Sequence, residues 1–371
     1  MSDLGSRVAI KRRAITPVEV RTFADAFRHG QHDIVRRDAD ALAVSLSASP
    51  LTRGWVPFVV LLHGASLADA DRPTDAARYL EQGLAMLDGT VSTEEVGQGD
   101  HFELVLLEQY LSLGRPAECT PRLGALLTPD RAIETRFAAE RVQARLAVWW
   151  GRYEQAHHHL NTAAGLANRI RSNFFADLVQ TDRAVVLITQ GSPYEAAAVA
   201  NVVLPGLLRP ARSARQRWAN AEGAAAALTI SRYSANMGDR FSAGRFFGLA
   251  EPVVADVGRR ALDGLAALAR GAYAREVGDT RTAELALAHA RTQFNAVGCT
   301  HGLAMAGVDQ ARLGASQGLY ASARPVAVRA VSELRELGLA RELLDAQNLG
   351  RSIDAALARK ADDSSDSATV R

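Results

Sequence analysis

The sequence predicts an all-α fold: a right-handed α-solenoid of about eight helical hairpins followed by a C-terminal capping helix. Three observations predict it. About 70 of the 371 residues are Ala, which has the highest helix propensity and lets packed helices approach closely. Hydrophobic residues make up 48% of the chain and charged ones 23%, a composition that can build a core and excludes a disordered chain. One turn pattern recurs at intervals of about 40 residues, the mark of stacked repeats.

The first helix is expected to start near residue 15. Thr16-Pro17-Val18-Glu19 reads as a capping box with Pro at the first helical position. Residues 1–14, with Lys11-Arg12-Arg13, are expected as a flexible basic arm. The hairpins then follow through residues 15–337. Their turns begin at Gly30, Asp71, Gly114, Gly151, Gly191, Gly238, Gly278 and Gly318. Five residues on stand Val35, Ala76, Cys119, Ala156, Ala196, Ala243, Ala283 and Ala323, all but the first small. Nine residues on stand Ala39, Leu80, Leu123, Leu160, Ala200, Phe247, Leu287 and Ala327. These offsets place the side chains on one stripe of the helix after the turn. Seven residues before each turn, Phe23, Gly64, Leu107, Ala144, Ala184, Ser231, Gly271 and Ala311 mark the preceding helix, and six of these eight are small. The two small positions in phase predict a close helix crossing in each hairpin. Between Pro205 and Arg217, the residues Arg209, Pro210, Arg212 and Arg215 read as an extended loop that could dock an acidic partner or be solvated. Leu343, Leu344, Ile353 and Leu357 line one side of a capping helix in residues 338–358, and the polar residues 359–371 read as a disordered tail.

This pattern resembles the tetratricopeptide-repeat family, over roughly residues 15–337. The resemblance is carried in the seventh unit by Gly271, Gly278, Ala283, Leu287 and Ala290, and in the eighth by Ala311, Gly318, Ala323, Ala327 and Ala330. The units are longer than the family's usual 34 residues, and the aromatic expected four residues before the turn is present only as Tyr110. Units of this length are similar to the sensor solenoids of large ATP-dependent LuxR-type regulators and of actinobacterial antibiotic-pathway regulators. HEAT-type repeats share the length but not the turn-to-Ala spacing.

The resemblance implies that the first helix of each hairpin lines the concave face. The inward positions are then Phe58, Leu61, Leu104, Leu111, Leu178, Val185 and Ile188, beside Arg141, Arg145, Trp149, Arg232, Arg275 and Arg312. Arg141 and Arg145 are one helical turn apart, and Trp149 continues their line. Guanidinium forks suit carboxylates or phosphates, so the expected ligand is a protein or peptide segment with acidic and apolar side chains. The competing use of these arginines is solvation, or pairing with acidic residues of neighbouring repeats.

Other chemistries are disfavoured. A net charge of +2 gives no field for holding nucleic acid. All but two of the 43 basic residues are Arg, the exceptions being Lys11 and Lys360, which fits a GC-rich genome as well as it fits function. No phosphate-cradling, dinucleotide-binding or zincin motif is present. His157, His158 and His159 are adjacent on a helix and point about 100° apart, so they cannot close on one ion. Cys119 sits at a packing position, and no base is expected to activate Cys299. The two distant cysteines and the lack of a signal or spanning segment suit a cytoplasmic protein.

The expected function is a non-catalytic scaffold or adaptor, in signalling or transcriptional regulation, that uses no cofactor or metal. The alternative is a small-molecule or peptide effector sensor; an enzyme ranks last. A DNA-reading helix-turn-helix would need about 50 further residues at one end, so a stand-alone adaptor is favoured, with homodimerisation left open.

Overall fold

The structure, a computed structural model, describes residues 18–29, 31–49, 52–87, 96–211 and 214–369. The expected basic arm, the Thr16 capping box, Gly30 and Arg212 lie outside the described residues.

Among the described residues there are 17 α-helices, two short 3-10 turns and no strand. The helices are α1 (Val18–Arg28), α2 (His32–Ser47), α3 (Val56–Asp69), α4 (Pro73–Leu87), α5 (Val96–Ser112) and α6 (Thr120–Leu126). They continue with α7 (Ile133–Trp149), α8 (Tyr153–Ile170), α9 (Asn173–Gln190), α10 (Pro193–Leu207), α11 (Ala214–Asn236) and α12 (Arg240–Val257). The last five are α13 (Arg260–Val277), α14 (Thr280–Val297), α15 (Thr300–Ser316), α16 (Tyr320–Leu337) and α17 (Ala340–Thr369). Among the described residues no helix is long and apolar enough to cross a membrane.

The chain forms two compact units: residues 1–143, 161–173 and 210–219 in the first, and 144–160, 174–209 and 220–371 in the second. In the first unit α3 packs on α4, and in the second α13 packs on α14 and α15 on α16. These are the hairpins that the sequence phase predicts. Asp71, Gly114, Gly151, Gly191, Gly238, Gly278 and Gly318 all have positive φ, from 58° at Asp71 to 101° at Gly191. At Gly278, φ is 87° and the amide donates back to Arg275 O, closing α13 in the conformation a Cβ would oppose.

The predicted crossings are physical contacts. In the first unit a Cβ on Gly64 would lie 2.8 Å from Leu80 Cγ, and Cys119 Sγ lies 3.6 Å from Leu107 O. In the second unit a Cβ on Gly271 would lie 2.9 Å from Leu287, and Ser231 donates its hydroxyl to Ala243 O at 2.8 Å. Each contact joins the position seven before a turn to one of those five or nine after it. Buried Ala156, Ala196, Ala243 and Ala283 complete the series.

Two local expectations differ from the structure. The stretch 205–217 is not one extended loop: α10 continues through Pro205 to Leu207 and α11 is already helical at Ala214. Pro205 is exposed in the last turn of α10, where it removes a single intrahelical bond and leaves the carbonyl of Asn201 open to water. The last helix runs to Thr369 rather than ending near Ala358. Residues 359–369 hold neither Gly nor Pro to stop it.

Candidate functional site

The first helices of the second unit carry a repeated charge pattern. Arg145, Arg232 and Arg312 each stand six residues before a positive-φ glycine, Gly151, Gly238 and Gly318 respectively. Asp182 and Asp309 each stand nine residues before Gly191 and Gly318. Nine and six differ by three, so in α15 Asp309 and Arg312 share one face. The regular helix phase therefore sends arginines and aspartates of different hairpins to the same side.

There they pair. Arg145 donates to Asp182 at 3.3 Å and also to Glu222 of α11. Arg232 donates through Nε to Asp309 at 2.6 Å, and Arg312 reaches the other oxygen of the same carboxylate at 2.9 Å. Arg232 is 4% exposed and Asp309 2%. Burial alone would raise the Asp309 carboxyl, but Arg232 and Arg312 outweigh it and hold it below the ordinary carboxylate value. Burial likewise opposes the Arg232 cation, and the Asp309 charge more than restores it.

Arg275 of α13 is placed differently. Its acceptors are neutral, Asn236 Oδ1 at 3.1 Å and Ala235 O at 3.5 Å. Burial pulls its pKa down, and the attraction of Asp309 and Glu276 does not make up for burial together with the repulsion of Arg312 and Arg232. Two guanidinium groups thus hold one buried carboxylate, and the third lies near enough to feel its charge. A small polar pocket lies beside them, lined by Arg232, Tyr233, Asn236 and Val308 and Arg312, with Glu342 and Asp345 of α17 on its other side. Tyr233 donates its hydroxyl to Glu342. Burial, reinforced by that carboxylate, pushes the phenol well above its usual pKa, so it stays a donor.

Trp149 ends α7 and donates its indole N–H to Leu337 O at 2.8 Å. It packs beside Val308, Leu334, Leu339 and Ala346, edge-on to His301 at 5.3 Å. Burial lowers His301 to about 4, so the ring is neutral near pH 7. Cys299 Sγ lies 3.4 Å from that ring.

The sequence-predicted residues of the first unit have other surroundings. Arg141 is buried, with its guanidinium 5.9 Å from the ring centres of both Phe137 and Trp218. Phe58 is half-buried and edge-on to Trp55, and Leu104 is half-buried in α5. The structure therefore brings Arg232, Arg275 and Arg312 together and gives Arg141, Arg145 and Trp149 separate partners.

Asp182, Glu222, Tyr233, Asp309 and Glu342 were not among the residues singled out from sequence. The Asp182 and Asp309 phase was a readable signal; the pairing of residues 77 apart in sequence, as in Arg232 with Asp309, was not. Among the described residues no group of three His, Cys, Asp or Glu could hold a metal ion. The Cys119 thiol is pushed up to about 12 by burial, which keeps it protonated and unreactive.

Neither a family model nor a curated protein matches the chain. Among solved structures the chain is similar to a Rap protein complexed with Competence and Sporulation Factor, at 11% identity and a TM-score of 0.54. The match covers 97% of this chain and 99% of that one. This likeness is one of fold, a tetratricopeptide-like helical repeat running the length of both chains.

Proposed function

We propose that the chain is a non-catalytic adaptor of bacterial signalling or transcriptional regulation that binds a protein or peptide segment with acidic and apolar side chains. The observation that carries this reading is Arg232 and Arg312 sharing the carboxylate of Asp309 at the edge of a pocket, with Arg275, which makes no ion pair among the described residues, within reach of its charge. A largely buried guanidinium without an ion-pair partner favours an incoming acid. The similar Rap protein is complexed with Competence and Sporulation Factor, so a fold of this kind holds a binding partner there. The resemblance to LuxR-type sensor solenoids points the same way, and a reducing cytoplasm suits the two buried free thiols.

Within this proposal Arg275 and Arg312 contact the ligand, Arg232 and Arg145 hold the frame, and Trp149 borders the apolar part. In the first unit Phe58, Leu104 and Arg141 form a separate candidate surface. No cofactor, metal or nucleic acid is required.

The test is capture of partners from the native lysate on the purified full-length chain, followed by affinity measurement with Arg275→Gln and Arg312→Gln. A stoichiometric protein or peptide partner that binds at least about tenfold more weakly to the double variant supports the adaptor. Unchanged affinity overturns the acidic-ligand reading. The alternative reading is a small-molecule effector sensor. Its mark would be no captured polypeptide together with a metabolite-induced rise in melting temperature.

A further inference from the structure

The start of α17 has the chemistry proposed above for the ligand. Its residues Glu342-Leu343-Leu344-Asp345 place two acids around two leucines. Glu342, Asp345, Ala346 and Leu349 follow the i, i+3, i+4, i+7 spacing of one helix face. Glu342 accepts from Tyr233, and both acids line the pocket with Arg232 and Arg312. Ala346 is buried in the cluster that holds Trp149, and Leu343 and Leu349 pack against it. The backbone fits closely as well, since a Cβ on Gly151 would lie 3.0 Å from Ala340 Cβ.

The seat is nevertheless incomplete. Arg341 Nε is buried with no hydrogen-bond partner, although Asp345 lies 3.4 Å from it. Arg275 donates only to neutral acceptors among the described residues, and neither Glu342 nor Asp345 forms an ion pair with Arg312. Arg312 is therefore left, among the described residues, with Asp309 as its ion-pair partner, a carboxylate it shares with Arg232.

We propose that residues 340–349 are a built-in occupant of the second unit's inner face, and that this face receives in their place an acidic amphipathic helix of a partner protein. This rests on the adaptor reading and specifies its partner: a helix with two acids three residues apart, leucines between them and an apolar residue one turn on. Binding is then an exchange. The partner's carboxylates take the Tyr233 hydroxyl and the Arg312 edge, while the first turns of α17 are released. An intramolecular occupant competes at high effective concentration, so weakening it raises the apparent affinity for the partner.

The experiment uses the full chain and a fluorescent peptide copying residues 341–349, acetyl-Arg-Glu-Leu-Leu-Asp-Ala-Gln-Asn-Leu-amide, read by anisotropy. The Glu342→Gln/Asp345→Asn chain is expected to bind it about tenfold more tightly than the unaltered chain. Adding Arg312→Gln should remove that gain. A peptide with Gln and Asn in place of its Glu and Asp should bind about tenfold more weakly. Hydrogen exchange over residues 340–349 should rise when the peptide binds.

Equal affinity for the two chains, or for the two peptides, overturns the proposal. So does dimerisation of the Glu342→Gln/Asp345→Asn chain in sedimentation velocity, because the occupant would then be a second copy. If that double variant does not fold, Tyr233→Phe removes the hydroxyl alone and carries the same expectation. A lysate partner that depends on Arg312 but binds the unaltered and Glu342→Gln chains equally would leave the adaptor standing and overturn the built-in occupant.

Discussion

Two Arg–Asp pairs of the second unit have the same 2.6 Å separation and opposite surroundings. Arg324 and Asp354 join α16 to α17 with side chains 58% and 55% exposed, whereas Arg232 and Asp309 join α11 to α15 at 5% and 2%. Geometry alone would rank them equal. Water screens the first pair and leaves it worth little, while the second has lost its hydration and survives because each charge answers the other. Burial, rather than distance, marks which charges are committed to the structure.

The sharpest way to break the comparison is Asp309→Ala. It leaves Arg232 and Arg312 without their shared carboxylate and should cost about 3–5 kcal/mol in urea unfolding. Arg232→Met with Asp309→Leu removes both buried charges and should recover most of that loss. If the double variant is as unstable as the single one, packing rather than uncompensated charge governs the site.

Acid provides the next largest effect. His301 titrates near 4 against an ordinary value of 6.5 because burial disfavours its charged form. Between those values the unfolded chain binds a proton that the folded chain does not. The His301 contribution is therefore complete above about pH 6.5 and declines as pH falls, by about 3 kcal/mol at most near pH 4. His301→Gln should flatten this part of the stability profile, measured as urea midpoints at pH 7 and pH 4.5.

Smaller effects separate the hairpin crossings from the outer helix surface. Gly271→Val drives a side chain into Leu287 and should cost about 1–3 kcal/mol. Gly248, exposed within α12, has open space at its Cβ position, so Gly248→Ala should stabilise by about 0.5–1 kcal/mol. Least of all, Asp354→Ala should change stability by less than about 1 kcal/mol and show a salt dependence that Asp309→Ala lacks.

The hairpin architecture was legible because it is local. Gly64 meets Leu80, and Gly271 meets Leu287, at offsets set by helix pitch and one turn. Small residues in phase with a turn therefore report a contact directly. The turns between successive hairpins, at Gly258, Gly298 and Gly338, also have positive φ, but they fall outside the repeated pattern and carried no comparable signal. Proline misled at residue 205, because its cost depends on which backbone donor it removes.

The candidate site was legible only in half. Arg145, Arg232 and Arg312 all stand six residues before a turn glycine, yet Arg145 takes Asp182 and Glu222 while Arg232 takes Asp309. Those partners lie 37 to 77 residues away, and which of them comes within reach depends on how successive hairpins rotate. No single helix encodes that rotation. Arg141 shows the same limit, since its aromatic neighbours Phe137 and Trp218 lie on different helices.

The bond from the Trp149 indole to the Leu337 carbonyl spans 188 residues of chain. Repeat stacks whose members touch only their neighbours can fray one hairpin at a time from either end. Here a repeat at the beginning of the second unit is fastened to one near its end, so loss of the terminal hairpin is felt at α7. The second unit should therefore melt as one cooperative block, with its terminal helices protected from hydrogen exchange nearly as well as its middle. Its folding must also wait for a contact of very large sequence separation.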